Sequence, residues 1–331
     1  MTYSLRVFSG LLCGGFIALS ACTSAQSAGD DSTSTEQGWD AESATNEAQS
    51  THLWIVNQAI RILDRHKAEL PIAARAVKIL NDEGCRTQWQ RGLLDADFKA
   101  EYNNGRRDLS VGASDLEVGL SGATWESHFW DPDTGLNYKG TPKTALTEAN
   151  RHLDAAFANA TEVLLHQGTT EAQLTACYEY GLSLHYFTDL TQPMHAANFT
   201  AVNRPAKLHS NLEGYAVTIQ SRYGLADWST VPSGDSNQFI EVAARTSKNL
   251  WPESVRTVVD AYHRNRSRDF IACGLIDANP ARFLVAQEVD HKKCWENDAK
   301  VDAMVGKALT QAQDLTAQYI YLATAKLPAG E

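Results

Sequence analysis

Basic residues are in short supply in this chain. Lysine and arginine together number 29 against 40 aspartates and glutamates, a formal net charge of −11. So acidic a balance excludes a duplex nucleic-acid binder that works by neutralising phosphates, and it gives no strong pull toward anionic membrane surfaces. No Cys-x-x-Cys pair occurs, which argues against zinc held by cysteine. Alternating strand patterns are scarce, no internal repeat is visible, and no polar linker is long enough to split the folded part in two. What remains is ordinary globular composition: 331 residues, 43% hydrophobic and 21% charged. That is enough chain to bury a core without covalent staples.

The first residues read as an export signal. Arg6 supplies a basic start, and Val7 to Leu19 form an apolar run too short to span a bilayer. The run ends in Leu19-Ser20-Ala21-Cys22, which resembles the lipobox of bacterial lipoproteins. An ordinary signal-peptidase site beside a chance cysteine is the other reading. Either way residues 1–22 are a signal peptide and the mature protein leaves the cytoplasm, secreted or periplasmic, with no transmembrane anchor. Residues 23–38 are rich in Ser, Thr, Asp and Glu and read as a disordered linker or pro-segment. The folded domain is expected over 39–331. Four cysteines lie within it, Cys85, Cys177, Cys273 and Cys294, which allow three disulfide pairings. The loop-like Asp277-Ala278-Asn279-Pro280 favours Cys273–Cys294, which leaves Cys85–Cys177.

Helical spacing dominates the rest. Leu53, Val56, Ile60 and Leu63 share one face, as do Leu146, Ala149, Leu153, Ala156, Ala160 and Leu164. Leu174, Tyr178, Gly181, His185 and Asp189 form a third stripe, and Met304, Ala308, Leu315 and Ile320 mark a C-terminal helix. Gly135, Gly140 and Pro142 punctuate a loop between Trp130 and Lys143, and Asn203-Arg204-Pro205 breaks the chain over 199–207. The expected fold is a single all-α, multi-helix domain.

Five of the ten histidines keep company with carboxylates. His185 and Asp189 stand one helical turn apart, and so do His209 and Glu213, with His195 between the two pairs just past Pro193. A histidine and a carboxylate at this spacing can chelate one divalent ion without bending the backbone, and nitrogen with oxygen suits zinc. One such pair alone is more often a surface contact or a satisfied core histidine. Two pairs 24 residues apart, the first on an apolar stripe, are a different matter. Buried polar groups of this kind need partners, and a metal supplies one.

The stretch Gly181-Leu182-Ser183-Leu184-His185-Tyr186, with Asp189 and then Gln192-Pro193-Met194-His195-Ala196-Ala197-Asn198-Phe199-Thr200, closely resembles the bacterial zinc-dependent phospholipases C. Ser127-His128-Phe129 with Asp131-Pro132-Asp133-Thr134-Gly135 matches too, as does His52-Leu53-Trp54-Ile55-Val56-Asn57 with Ala59-Ile60. The matches run in order from Trp39 to about Tyr215; past that point only helical packing is similar. This family, of the phosphatidylcholine-hydrolysing type, shares its fold and three-zinc site with the S1/P1 nucleases. The resemblance implies three Zn2+ ions. One would be held by Asp115, His128, His185 and Asp189, and a second by His195, His209 and Glu213. The third would take His52, Asp189 as a bridge, and the amine and carbonyl of an N-terminal Trp39. It also implies that Asp115 orients or deprotonates the attacking water. The substrate would be a phospholipid at a membrane surface, the products diacylglycerol and phosphocholine.

For the head group, the family's choline-binding positions fall on Glu42, Leu116 and Trp125. Trp125 keeps an aromatic face for a quaternary ammonium, whereas Leu116 removes one. Ethanolamine or broader head-group preference therefore stays open. The third zinc needs a free amine on Trp39, which a chain beginning at Cys22 would lack. Cleavage between Gly38 and Trp39 resolves the conflict, and a spurious lipobox or an altered third site would also do so. Two other functions compete: a P1-like single-strand nuclease or 3′-nucleotidase on the same ions, and a non-catalytic zinc-binding surface lipoprotein. The sequence carries no sign of oligomeric state.

Overall fold

A computed structural model describes residues 45–102, 125–166, 170–200, 208–228, 230–265 and 298–327. The expected signal peptide and linker, Trp39, Glu42, Asp115, Leu116, Cys273, Cys294 and most of the 199–207 loop lie outside these residues. Among the described residues there is no strand; Asp131 and Leu136 form a single isolated bridge. Among the described residues, nine α-helices carry the fold: α1 (Thr51–His66), α2 (Pro71–Asn81), α3 (Glu83–Tyr102), α4 (Ala145–His166), α5 (Thr170–Leu190), α6 (Leu208–Ile219), α7 (Ser236–Lys248), α8 (Trp251–Asn265) and α9 (Ala299–Lys326). No described helix is long and apolar enough to cross a membrane.

Local chemistry sets the helix ends. Ser50 caps α1, its hydroxyl accepting from the Leu53 amide at 3.2 Å. α2 starts on Pro71, whose fixed φ suits a first turn and whose missing N–H is no loss there. Asp235 and Asp298 cap α7 and α9, each carboxylate accepting from two backbone amides.

The expected stripe of α1 is buried, with Leu53, Val56, Ile60 and Leu63 turned into one core around Trp89, Phe187 and Tyr319. The neighbouring Trp54 and Ile55 enter a second core with Met194, Leu212, Ile219 and Leu309. Thus α1 serves both cores and carries His52 at its start. Sequence periodicity picked out α1, α4, α5 and α9. It left α3 unmarked, although Cys85, Trp89, Leu93 and Ala96 line its buried face.

Cys85 and Cys177 are joined, pinning α3 to α5 across 92 residues of sequence. A cross-link closing a loop that long stabilises the fold by about 2–5 kcal/mol, chiefly through the unfolded chain. The segment after Trp130 is a tight loop. Asn137 organises it, accepting from the Lys139 and Thr141 amides while its own amide donates to the Lys143 carbonyl.

Candidate metal centre

Five separate stretches of chain deliver the histidines and carboxylates. The last turns of α5 are buried without a break from Gly181 to Leu190, so His185 and Asp189 both stand in the interior. After α5 the chain turns at once: the Thr191 amide donates to Thr188, and the Gln192 amide to Asp189. The Gln192 side-chain carbonyl then accepts from the His195 amide at 3.3 Å and from the Met194 amide. That clamp, with Pro193, brings His195 back over the end of α5. His128 closes a short 3-10 turn after Trp125, and α6 presents His209 and Glu213 one turn apart.

Three buried sets result: His52 with His185 and Asp189; Asp97 with His128 and His185; and His195 with His209 and Glu213. Within each set the candidate ligand atoms lie inside 4.8 Å of one another. Asp189 is the hub. Its oxygens lie 2.8 Å from His128 Nδ1, 3.4 Å from His185 Nε2, 3.5 Å from His52 Nε2 and 3.6 Å from His195 Nδ1. Glu213 Oε1 lies 2.7 Å from His209 Nε2 and 3.0 Å from His195 Nε2, and accepts from the Gln192 amide at 3.0 Å.

The outer nitrogens show what the inner ones are for. His185 Nδ1 donates to the Leu93 carbonyl at 2.7 Å, and His195 Nδ1 to the His128 carbonyl at 2.7 Å. His52 Nδ1 donates to the Thr188 hydroxyl at 2.6 Å, whose own proton goes to a carbonyl of α5. With Nδ1 donating outward, each of these rings turns its Nε2 inward, the arrangement that metal-bound histidines adopt. Lone pairs then face one another: His195 Nε2 and His209 Nε2 are 3.0 Å apart. His52 Nε2, both oxygens of Asp97 and one oxygen of Asp189 are buried without a hydrogen-bond partner. Among the described residues no lysine or arginine pairs with Asp97, Asp189 or Glu213. Three buried carboxylates facing imidazole lone pairs would be costly left bare, and divalent cations satisfy all of them. The donor set therefore fits zinc.

The electrostatics agree. Burial opposes ionisation of Asp189, yet His185, His195 and His128 together hold it well below the usual carboxylate range. Glu213 is likewise opposed by burial and drawn down to about 2 by His209 and His195. Burial, then the neighbouring His185, keeps His52 well below its ordinary value and so neutral, the form that can ligate.

Of the residues expected from the sequence, His52, His128, His185, Asp189, His195, His209 and Glu213 converge. Trp125 stands beside them, its ring edge-on to His128 at 5.4 Å between centroids. It holds a left-handed backbone conformation, φ 46°, unusual for so large a side chain. Asp115, Trp39, Glu42 and Leu116 lie outside the described residues. Among the described residues, Asp97 joins Asp189 in meeting His128 and His185, at 3.6 and 3.4 Å. Sequence reasoning passed over it. The signal was an acidic residue one turn beyond Leu93 on a helix whose neighbouring positions are buried and apolar.

No family model matches the chain. It is 29% identical over 284 residues to a phospholipase C of Bacillus cereus, covering 86% of this chain and 84% of that one. A phospholipase C of Listeria monocytogenes is 30% identical over 187 residues, about half of each chain. Among solved structures, the alpha toxin of Clostridium absonum superposes with a TM-score of 0.54 at 20% identity over 86% of this chain. The present chain spans 65% of that toxin, so this likeness speaks for the fold alone. The Bacillus match is too long to end at Tyr215, so the similarity continues into the C-terminal helices. By sequence the chain is similar to bacterial phospholipases C, and it shares the all-α fold of the clostridial alpha toxin.

Proposed function

We propose that this protein is an exported zinc phosphodiesterase that cleaves phosphatidylcholine-type phospholipids to diacylglycerol and phosphocholine. One observation carries the reading: eight buried imidazoles and carboxylates from distant segments meet, with His52 Nε2, both oxygens of Asp97 and one of Asp189 left without a hydrogen-bond partner among them. Asp97, His128, His185 and Asp189 would hold one ion. Asp97 here takes the ligand position that the resemblance gave to Asp115. His195, His209 and Glu213 would hold a second. His52 and Asp189 would hold a third with the amine and carbonyl of Trp39, provided cleavage after Gly38 frees that amine.

Bound zinc would supply Lewis acidity toward the phosphodiester oxygens and lower the pKa of a bound water toward neutrality. The chain's own groups set the geometry. Asp97 Oδ1 faces His128 and His185, which leaves Oδ2 to orient the attacking water and take its proton. Asp189 faces four histidines and fixes the spacing of the sets. Trp125 lies against His128, where its ring face can meet a choline ammonium; by the family resemblance Glu42 would supply the countercharge and Leu116 would take the remaining head-group position. The Cys85–Cys177 disulfide suits an oxidising compartment outside the cytoplasm.

The test is an assay of the purified mature chain on phosphatidylcholine, sphingomyelin and single-stranded DNA, with and without a chelator. Chelator-sensitive release of phosphocholine is expected. Turnover of DNA alone would move the protein to the nuclease reading, and bound zinc without any diesterase activity would reduce it to a metal-binding protein. Intact mass of the exported form should begin at Trp39; an active form that begins at Cys22 contradicts the third ion's ligand set.

A further inference from the structure

Gly92 on α3 and Gly181 on α5 lie where the two helices touch backbone to backbone. A Cβ built on Gly92 would stand 2.2 Å from the Tyr178 carbonyl oxygen, and one on Gly181 would stand 2.1 Å from that of Trp89. Ordinary contact begins near 3.4 Å, so either methyl group would drive the helices apart by more than 1 Å, and no flexible side chain is there to yield. The contact is reciprocal, since each glycine meets the backbone one turn before the other.

The crossing sits between a fixed point and the ion ligands. α3 and α5 run side by side in the same direction. Cys85–Cys177 ties them before the crossing, and Asp97 and His185 follow it. At 1.5 Å per residue, the disulfide lies about 10 Å back along α3 and Asp97 about 7 Å ahead. The residue next to Gly92 is Leu93, whose carbonyl accepts from His185 Nδ1 at 2.7 Å. That bond aims His185 Nε2 at Asp97, 3.4 Å away.

We infer that Gly92 and Gly181 are positioning residues for the metal centre. Their bare backbone contact sets the separation of α3 and α5 at which Asp97 and His185 can share one ion. A wedge at the crossing cannot open the end held by the disulfide, so it opens the other. The Leu93–His185 bond lengthens, His185 loses its aim and Asp97 withdraws. His195, His209 and Glu213 sit on other elements and keep their geometry. This inference rests on the metal reading above.

The experiment is equilibrium binding of zinc, and of cobalt followed by its d–d absorbance, to the metal-stripped full chain and to Gly92→Ala and Gly181→Ala. Gly306→Ala is the control, because its Cβ meets the Tyr223 ring at 2.1 Å on α9, a clash of the same size away from the α3–α5 crossing. Both crossing variants should lose roughly 10–100-fold in affinity at one site, the range for lost support of a ligand, and keep the His195–His209–Glu213 site at wild-type affinity. Gly306→Ala should lower the melting temperature without changing affinity at the Asp97–His128–His185 site. Wild-type affinities in a folded Gly92→Ala or Gly181→Ala would overturn the inference, as would an equal loss at every site. A wild-type chain that takes up no zinc would instead sink the metal reading itself. Hydrogen exchange keeps the idea testable if the variants do not fold. In the metal-stripped wild type, amides of Trp89–Leu93 and Tyr178–Leu182 should be among the slowest to exchange, because the crossing is built before any ion arrives. Their exchange on the timescale of fraying termini would contradict a preformed crossing.

Discussion

The two halves of the metal centre are built in opposite ways. His209 and Glu213 sit one turn apart on α6, and His195 joins them from a turn only 14 residues earlier. Asp97, His128 and His185 come from three elements, and His128 reaches His185 across 57 residues. The local half depends on helix periodicity. The long-range half depends on tertiary packing, and the molecule reinforces it with a disulfide and a bare backbone crossing. Asp189 belongs to the long-range half yet lies against His195 of the other. A site assembled from distant parts is as exact as the scaffold that holds it, whereas a one-helix chelate carries its own geometry.

That contrast can be broken by experiment. Asp189→Ala should do the most damage, because it strips the hub from both halves. Turnover should fall by roughly 10²–10³-fold or more, with zinc content falling together at every site. Near-normal activity or unchanged zinc would remove Asp189 from the centre. Glu213→Gln should be milder and selective: one ion lost by elemental analysis, with cobalt still bound at the Asp97 set. Loss of all ions would show that the halves are not separable.

Replacing Cys85 and Cys177 by alanine should lower stability by about 2–5 kcal/mol in denaturant titrations. The native variant should keep its His195–His209–Glu213 affinity, and a selective loss there would reverse the assignment of the scaffold to the other half. Trp125→Ala should raise KM for phosphatidylcholine several-fold, in line with about 0.5–2 kcal/mol for a cation on an aromatic face. Equal KM for choline and ethanolamine lipids in the native protein would instead make Trp125 a packing residue.

The smallest effect should come from Asp235, which touches neither half. It caps α7 and meets Lys326, whose proximity holds the Asp235 carboxyl below its ordinary value. A depressed folded pKa adds stability above the unfolded value of about 3.9, and that stability is lost as pH falls through the folded value. Asp235→Ala should therefore cost about 1 kcal/mol at neutral pH, mostly through the cap, with no change in metal affinity. Asp235→Asn keeps a cap acceptor and should flatten only the acid limb of the stability curve.

The same contrast explains what could be read from the sequence. His185 with Asp189, and His209 with Glu213, leave a periodic mark because one helix does the chelating. The stripes of α1, α4, α5 and α9 are legible for the same reason. Asp97 leaves no such mark: its partners lie 31 and 88 residues away, at His128 and His185, and nothing local ties it to them. The family resemblance pointed to Asp115, which lies outside the described residues, and residue spacing says little about where an intervening loop returns. The Cys85–Cys177 pairing was reached only by assigning the other two cysteines first. Its own signature is the close approach of α3 and α5, which is a tertiary fact.

One pair of hydrogen bonds joins the halves. The His195 ring donates to the His128 carbonyl, and the Trp130 amide donates back to the His195 carbonyl at 3.2 Å. Rotating the His195 imidazole out of place breaks its bond to the peptide that carries His128. Main-chain atoms thus hold the two sets at a fixed spacing before any ion arrives, so that each can fill without reshaping the other.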